Sequence, residues 1–235
     1  MKINICHQEY DIETKVDNLL SILQIIKATN NNSLAFRSGC KSGVCGSCAV
    51  TVNGVERLAC KTNIEENDNI LPLKNSDIIK DLVVDISNQE KFLLSSKAFL
   101  EQKSDRVIFK VDEQKIDSDS NCILCSSCFS SCPVYEINPN FKGPFALTRV
   151  SRYVQDKKEL EIKTKVDAVQ EDGVWSCTLC GNCNMVCPQH INIKEDIMQL
   201  RNISVQLGYN DPNLSSFDNN DFLSTPSFGF DPNGF

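Results

Sequence analysis

Twice in this chain four cysteines are set out as C-x2-C-x2-C-x3-C and closed by a proline: Cys122, Cys125, Cys128 and Cys132 in "NCILCSSCFSSCP", then Cys177, Cys180, Cys183 and Cys187 in "SCTLCGNCNMVCP". A loop carrying thiols at that density must be organised by something that binds sulfur. A third group, Cys40, Cys45, Cys48 and Cys60, runs C-x4-C-x2-C with its last member twelve positions on. Of the 13 cysteines only Cys6 stands apart, and it reads as an ordinary buried strand residue. Disulfides are a poor account of the rest, because they belong mainly to oxidising compartments and very small folds. A chain of 235 residues that is 41% hydrophobic can bury a core without them. The opening "MKINICHQEYDIETK" also lacks the basic head and apolar stretch of a secretory signal. Metal is the expected partner of these thiols.

The first group has the plant-type spacing for a [2Fe-2S] cluster. Gly39, Gly43 and Gly46, with the serines between them, permit a tight loop whose N–H groups turn toward sulfur. Arg37 and Lys41 flank it and read as surface charges. Each comb has the bacterial two-cluster spacing, in which the fourth cysteine ligates the other cluster. On that rule Cys122, Cys125, Cys128 and Cys187 hold one [4Fe-4S] cluster, while Cys177, Cys180 and Cys183 with Cys132 hold a second centre. The crossing couples cluster assembly to folding. Pro133 and Pro188 turn the chain away after each comb. Zinc is the bland alternative, since C-x2-C pairs form tetrahedral sites, but two complete runs plus a plant-type set fit it poorly. His7 and His190 read as structural or surface groups, because no position is short of a ligand.

Around these groups the pattern changes once. "KINIC" and "YDIE" read as a hairpin, Leu19, Leu20, Leu23 and Ile26 as the apolar face of a helix, and "AVTVNGVERLACK" as two strands about an Asn53-Gly54 turn. "DLVVDI", residues 81 to 86, supplies a closing strand. Together these make a small α+β domain over residues 1–92. Residues 93–209 form a mainly helical domain that contains the combs as an internal repeat. Its helical patterns are "QEKFLLSSKAFLEQ", which starts just before that boundary, "GPFALTRVSRYVQDKKEL" and "NIKEDIMQLRNISVQLG". Residues 210–235 hold no Lys or Arg but carry Phe217, Phe222, Phe228, Phe230 and Phe235, and read as a disordered or partner-docking tail. A net charge of −7 argues against nonspecific nucleic-acid binding. No run approaches the ~18 apolar residues needed to span a bilayer.

One plant-type loop followed by two ferredoxin runs resembles the iron-sulfur subunit of the succinate dehydrogenase and fumarate reductase family. "CKSGVCGSCAVTVNGVERLACKT", "DLVVDI", "CPVYEINPNFKGPFALTRVSRY" and "GVWSCTLCGNCNMVCPQH" look most like the fumarate reductase branch. The resemblance implies a ferredoxin-like (β-grasp) domain against a flavoprotein subunit, then an alpha-helical ferredoxin domain facing a quinone site. Two departures follow from it. Better-known members lack a cysteine at the position matching Cys180 and hold a [3Fe-4S] cluster there, so Cys180 points to a second [4Fe-4S] cluster, with [3Fe-4S] as the alternative. Ile137 stands where some relatives have tryptophan, so a Trp-dependent quinone pocket does not transfer. Arg201, fourteen residues after Cys187, occupies the place of a basic residue near the quinone, although a lone Arg on a helix is as readily a surface group.

The function expected is therefore electron transfer as the non-flavin subunit of a quinone-linked oxidoreductase. Electrons would pass through three clusters between FAD on a partner and a quinone or other carrier. No G-x-G-x-x-G fingerprint is present, so the flavin belongs to that partner. The anchor would be a transmembrane cytochrome b or a cysteine-rich peripheral subunit, with this chain peripheral on the cytoplasmic side of the cell membrane. The rivals are a free multi-cluster ferredoxin, the electron-transfer subunit of a heterodisulfide-reductase-like complex, and a zinc-binding interaction module.

Overall fold

The computed structural model describes residues 1–13 and 16–212; the five tail phenylalanines lie outside them. The chain opens with an antiparallel hairpin, β1 (Lys2–Ile5) and β2 (Gln8–Asp11). Helix α1 (Leu19–Thr29) follows, its first turn capped by the Asn18 side chain, which accepts from Ser21 N. Leu19, Leu20, Ile22, Leu23 and Ile26 form its buried face. β3 (Ala49–Val52) and β4 (Val55–Leu58) pair about Asn53 and Gly54, both at positive φ, as an Asn-Gly turn requires.

The strand that completes this sheet is not residues 81–86. It is β5 (Asn69–Leu71), which lies parallel to β1 and antiparallel to β3 and gives the order β2-β1-β5-β3-β4. Three residues in a polar stretch carry too short a pattern to read, yet Ile70 is fully buried. Within 81–86 only Val83 and Val84 are strand (β7), paired with β6 (Ile78–Lys80) in a separate ribbon; Asp81 at φ 46 breaks the run. Cys6 also differs from expectation. It is half-buried and sits with His7 in the two-residue β1–β2 turn, both at positive φ, because the register pairs Ile5 with Gln8.

Helix α2 (Ser87–Ser95) stops short of the helical pattern, which runs on to Gln102: Lys97 adopts φ 52 and the chain leaves the helix. Short helices α3 (Lys110–Gln114), α4 (Asp117–Ser120) and α5 (Ser127–Ser130) lead into and through the first comb. Helix α6 (Pro144–Val154) begins with proline at its first position, which has no use for an N–H. α7 (Ile162–Asp167), α8 (Asn182–Val186) and α9 (Ile193–Gln206) complete the domain. Phe141, Leu147 and Val150 meet Ile197 and Leu200 in its fully buried centre. No helix among the described residues is long and apolar enough to cross a membrane.

Two polar devices hold the architecture. In the helical domain Lys165 Nζ lies 3.0 Å from Glu159 Oε2 with both side chains fully buried. It also donates to the carbonyls of Lys97 and Phe99, while Glu159 accepts N–H groups from Glu101, Gln102 and Glu161. Burial opposes the Glu159 charge, but those donors and the ammonium outweigh it and hold its pKa down at about 2. Between the domains, Ser130 Oγ donates to buried Glu56 on β4 at 2.7 Å. Asn75 Nδ2 donates to the carbonyls of Phe129, Ser130 and Cys132. The first comb is thus bonded directly to the N-terminal domain.

Candidate metal centres

The loop from Cys40 to Cys48 turns at Lys41, Gly43 and Gly46, all at positive φ, which swings backbone N–H groups inward. Ser42 N and Val44 N each donate to Cys40 Sγ at 3.4 Å, Cys40 N to Cys45 Sγ at 3.4 Å, and Cys60 N to Cys48 Sγ at 3.5 Å. Ser47 Oγ adds a bond to Cys45 Sγ at 3.3 Å. The Ser42 hydroxyl and the Ser42 and Val44 N–H groups lower the Cys40 thiol pKa to about 6, while burial raises that of Cys48. Cys40 and Cys45 face outward and Cys48 and Cys60 inward. Arg37 is not a free surface charge, since it donates to Val84 O at 2.9 Å and ties the loop to β7.

The two combs share a backbone as well as a spacing. Leu124 and Ser126 in the first, and Leu179 and Gly181 at matching positions in the second, all have positive φ; a short helix follows each, α5 and α8. Positive φ at a leucine carries no sequence signal, so this part of the repeat is not legible in the sequence. The thiols then sort across the combs. Cys122, Cys125, Cys128 and Cys187 line one cavity, walled by Phe145 and Ile191. Cys132, Cys177, Cys180 and Cys183 line another, beside Pro144 and Lys194. The two sets adjoin, for Cys128 lies in the electrostatic field of Cys183 as well as of its own three companions.

The residues fit iron-sulfur clusters. All four donors in each cavity are sulfur and each cavity draws cysteines from both combs, a ligand set of the kind that holds [4Fe-4S] clusters. Burial pushes the thiols of Cys122, Cys125 and Cys177 upward, that of Cys128 well above its usual value, Cys132 to about 11 and Cys183 to about 12. Thiolates there need cationic iron to offset the loss of water. Leu179 N donates to Cys177 Sγ at 3.4 Å, and Ser127 Oγ lies 3.4 Å from Cys125 Sγ.

Arg201 lies beside the second comb. Its Nε donates to Val174 O at 2.8 Å and its Nη2 to Cys177 O at 2.5 Å, with the guanidinium 5.5 Å from the Trp175 ring centre. His7 lies in the β1–β2 turn and His190 lines an interdomain groove. Sequence reading missed a buried carboxyl pair, Asp119 and Asp196, which come together although 77 positions apart (196 − 119). Burial raises both pKa values, that of Asp119 to about 6 and that of Asp196 to about 7, and the neighbouring Asp119 charge adds to the rise at Asp196. Thr148 Oγ1 donates to Asp196 at 2.8 Å.

Comparison with known proteins agrees with this chemistry. A family described as a 2Fe-2S iron-sulfur cluster binding domain matches residues 2–91, and one described as a 4Fe-4S dicluster domain matches residues 118–191. The fumarate reductase iron-sulfur subunit of Escherichia coli O6:H1 is 33% identical, over 81% of each chain. A subunit of the fumarate reductase (CoM/CoB) of Methanothermobacter marburgensis is 36% identical over 82% of this chain and 39% of its own length. The chain thus spans about two fifths of the length of the archaeal relatives it matches. In fold it is similar to a chain of the Mycobacterium smegmatis Sdh1 complex, with a TM-score of 0.79 at 24% identity, covering 89% of this chain and 97% of that one.

Proposed function

The chain belongs to the iron-sulfur subunit family of succinate dehydrogenases and fumarate reductases, and we propose that it relays electrons between FAD on a flavoprotein partner and a quinone or other carrier. The observation that carries this is the order of the three thiol sites. The Cys40–Cys60 loop abuts the Cys122/Cys125/Cys128/Cys187 set, which adjoins the Cys132/Cys177/Cys180/Cys183 set. The outer members Cys40, Cys45 and Cys180 are exposed, whereas no thiol of the middle set is: Cys128 is buried and Cys122, Cys125 and Cys187 are half-buried. A relay needs that arrangement: two ends that partners can approach and a middle screened from solvent.

Bound clusters supply reversible one-electron storage; the chain supplies ligands, spacing and electrostatics. N–H donors around Cys40 and Cys45 stabilise thiolate charge at the first site. Cys180 lines the last cavity with three other thiols, which supports a second [4Fe-4S] cluster over a [3Fe-4S] centre. A quinone at that end would lie near Arg201, whose Nε and Nη2 hold the carbonyls of Val174 and Cys177. The chain would lie peripherally on the cytoplasmic face of the membrane through its partners.

The CoM/CoB relative favours a second reading of the far end, in which a cysteine-rich subunit and a thiol-type donor replace the membrane anchor and quinone. Anaerobic purification with copurifying subunits, followed by iron analysis and EPR in oxidised and reduced states, tests the whole proposal. Three centres and a copurifying flavin are expected. Zinc in place of iron sinks the relay, and monomeric, flavin-free behaviour selects the free-ferredoxin alternative.

A further inference from the structure

The loop of the first site and the ligands of the second meet at one close approach. Gly46 stands between Cys45 and Cys48 at φ +70, and a Cβ built there would lie 2.9 Å from both Cα and Cβ of Cys125 and 2.9 Å from the Ile123 carbonyl oxygen. Real Cβ atoms do not approach backbone so closely, so the contact exists only because residue 46 has no side chain. Gly54 offers the contrast: it too has positive φ, but nothing lies within 4 Å of its added Cβ. Gly54 serves a turn; Gly46 serves a contact as well. The seam around it is built from both combs. Ile123 and Cys125 pack against the N-terminal core, and Gln189, two residues past Cys187, donates to Gly43 O at 3.2 Å. Both segments that supply the Cys122/Cys125/Cys128/Cys187 set are therefore seated on the Cys40–Cys48 loop.

We infer that Gly46 is a positioning residue for electron passage: its missing side chain lets the Cys45–Gly46 backbone lie against Cys125, so that one nonbonded contact separates the two ligand sets. This rests on the relay reading above. The step it serves moves one electron from a reduced [2Fe-2S] centre to an oxidised [4Fe-4S] centre, with no proton transferred and no bond made or broken. The electron comes from a reduced flavin on the partner, or travels the other way when the carrier is the donor. Tunnelling weakens steeply as the gap between bonded paths widens, so a methyl group forced into this contact acts on transfer by pushing the Cys45–Gly46 backbone and Cys125 apart, with every thiol kept.

Gly46→Ala and Ile123→Ala, made in the full chain and purified anaerobically with its partners, test the inference. The readouts are iron content, the spin-relaxation enhancement that the two reduced centres impose on each other in EPR, and the freeze-quench rate of electron arrival at the [4Fe-4S] centre. Gly46→Ala is expected to keep its iron, weaken the magnetic interaction and slow arrival several-fold. Ile123→Ala opens the same seam without straining a positive φ, and should give a smaller effect of the same sign. Wild-type magnetic interaction and transfer rate in both fully loaded variants overturn the inference; if Gly46→Ala does not load, the same result in Ile123→Ala alone does so. Wild-type protein without iron would instead remove the relay reading beneath it.

Discussion

Arg201 on α9 donates to the carbonyl oxygen of Cys177 at 2.5 Å and so joins the last helix to the first cysteine of the second comb. Its positive charge also favours the thiolate of Cys177. Removing that charge should make the neighbouring centre harder to reduce. Arg201→Gln is expected to lower the midpoint potential of the terminal cluster and leave the [2Fe-2S] potential alone, while Arg201→Lys, which keeps the charge but not the planar fork, stays closer to wild type. Redox titration followed by EPR reads both.

The Glu159–Lys165 pair should dominate acid stability in the helical domain. The folded pKa of Glu159 is depressed to about 2, so its contribution is fully present above the ordinary carboxylate pKa of about 4.3 and is lost as pH falls toward the folded value. Lys165→Met leaves the buried carboxylate without its cation and should cost about 3–5 kcal/mol. Glu159→Gln should flatten the acid limb of the stability curve. Denaturant melts from pH 7 down to pH 3 are the check.

Asp119 and Asp196 predict the opposite slope. Their folded pKa values are raised, so the neutral pair is stable at low pH and stability falls as pH climbs from the ordinary carboxylate value toward the raised ones. Asp196→Asn keeps a hydrogen-bonding group beside Thr148 and removes one ionisation. It should lessen the fall in Tm between pH 5 and pH 8, and an unchanged slope would mean that the pair is not its source.

Cys180→Ala tests whether the fourth thiol lining the terminal cavity is a ligand. Loss of one thiolate should convert the centre to a three-iron form, visible as an oxidised-state EPR signal absent from wild type, with a higher potential. The neighbouring site, whose cavity is lined by Cys122, Cys125, Cys128 and Cys187, should be spared. A wild-type protein that already shows the oxidised three-iron signal would place Cys180 outside the ligand set.

Spacing alone determined the chemistry. Four thiols at C-x2-C-x2-C-x3-C admit few occupants, and Asn53-Gly54 and the Leu19–Ile26 stripe declared their elements through local backbone and periodic preferences that need no distant partner. Tertiary structure decided what depends on partners far along the chain. β5 is a strand because β1 and β3 lie on either side of it, and the 81–86 run is not one more strand of that sheet because Asp81 turns it aside. The Asp119–Asp196 pair, the Arg201 clamp and the Gly46–Cys125 contact each join residues whose separate sequence contexts say nothing of the other. A glycine in a cysteine loop reads as freedom of φ; only the folded chain shows that the space beside it is filled by Cys125 and Ile123 of the first comb.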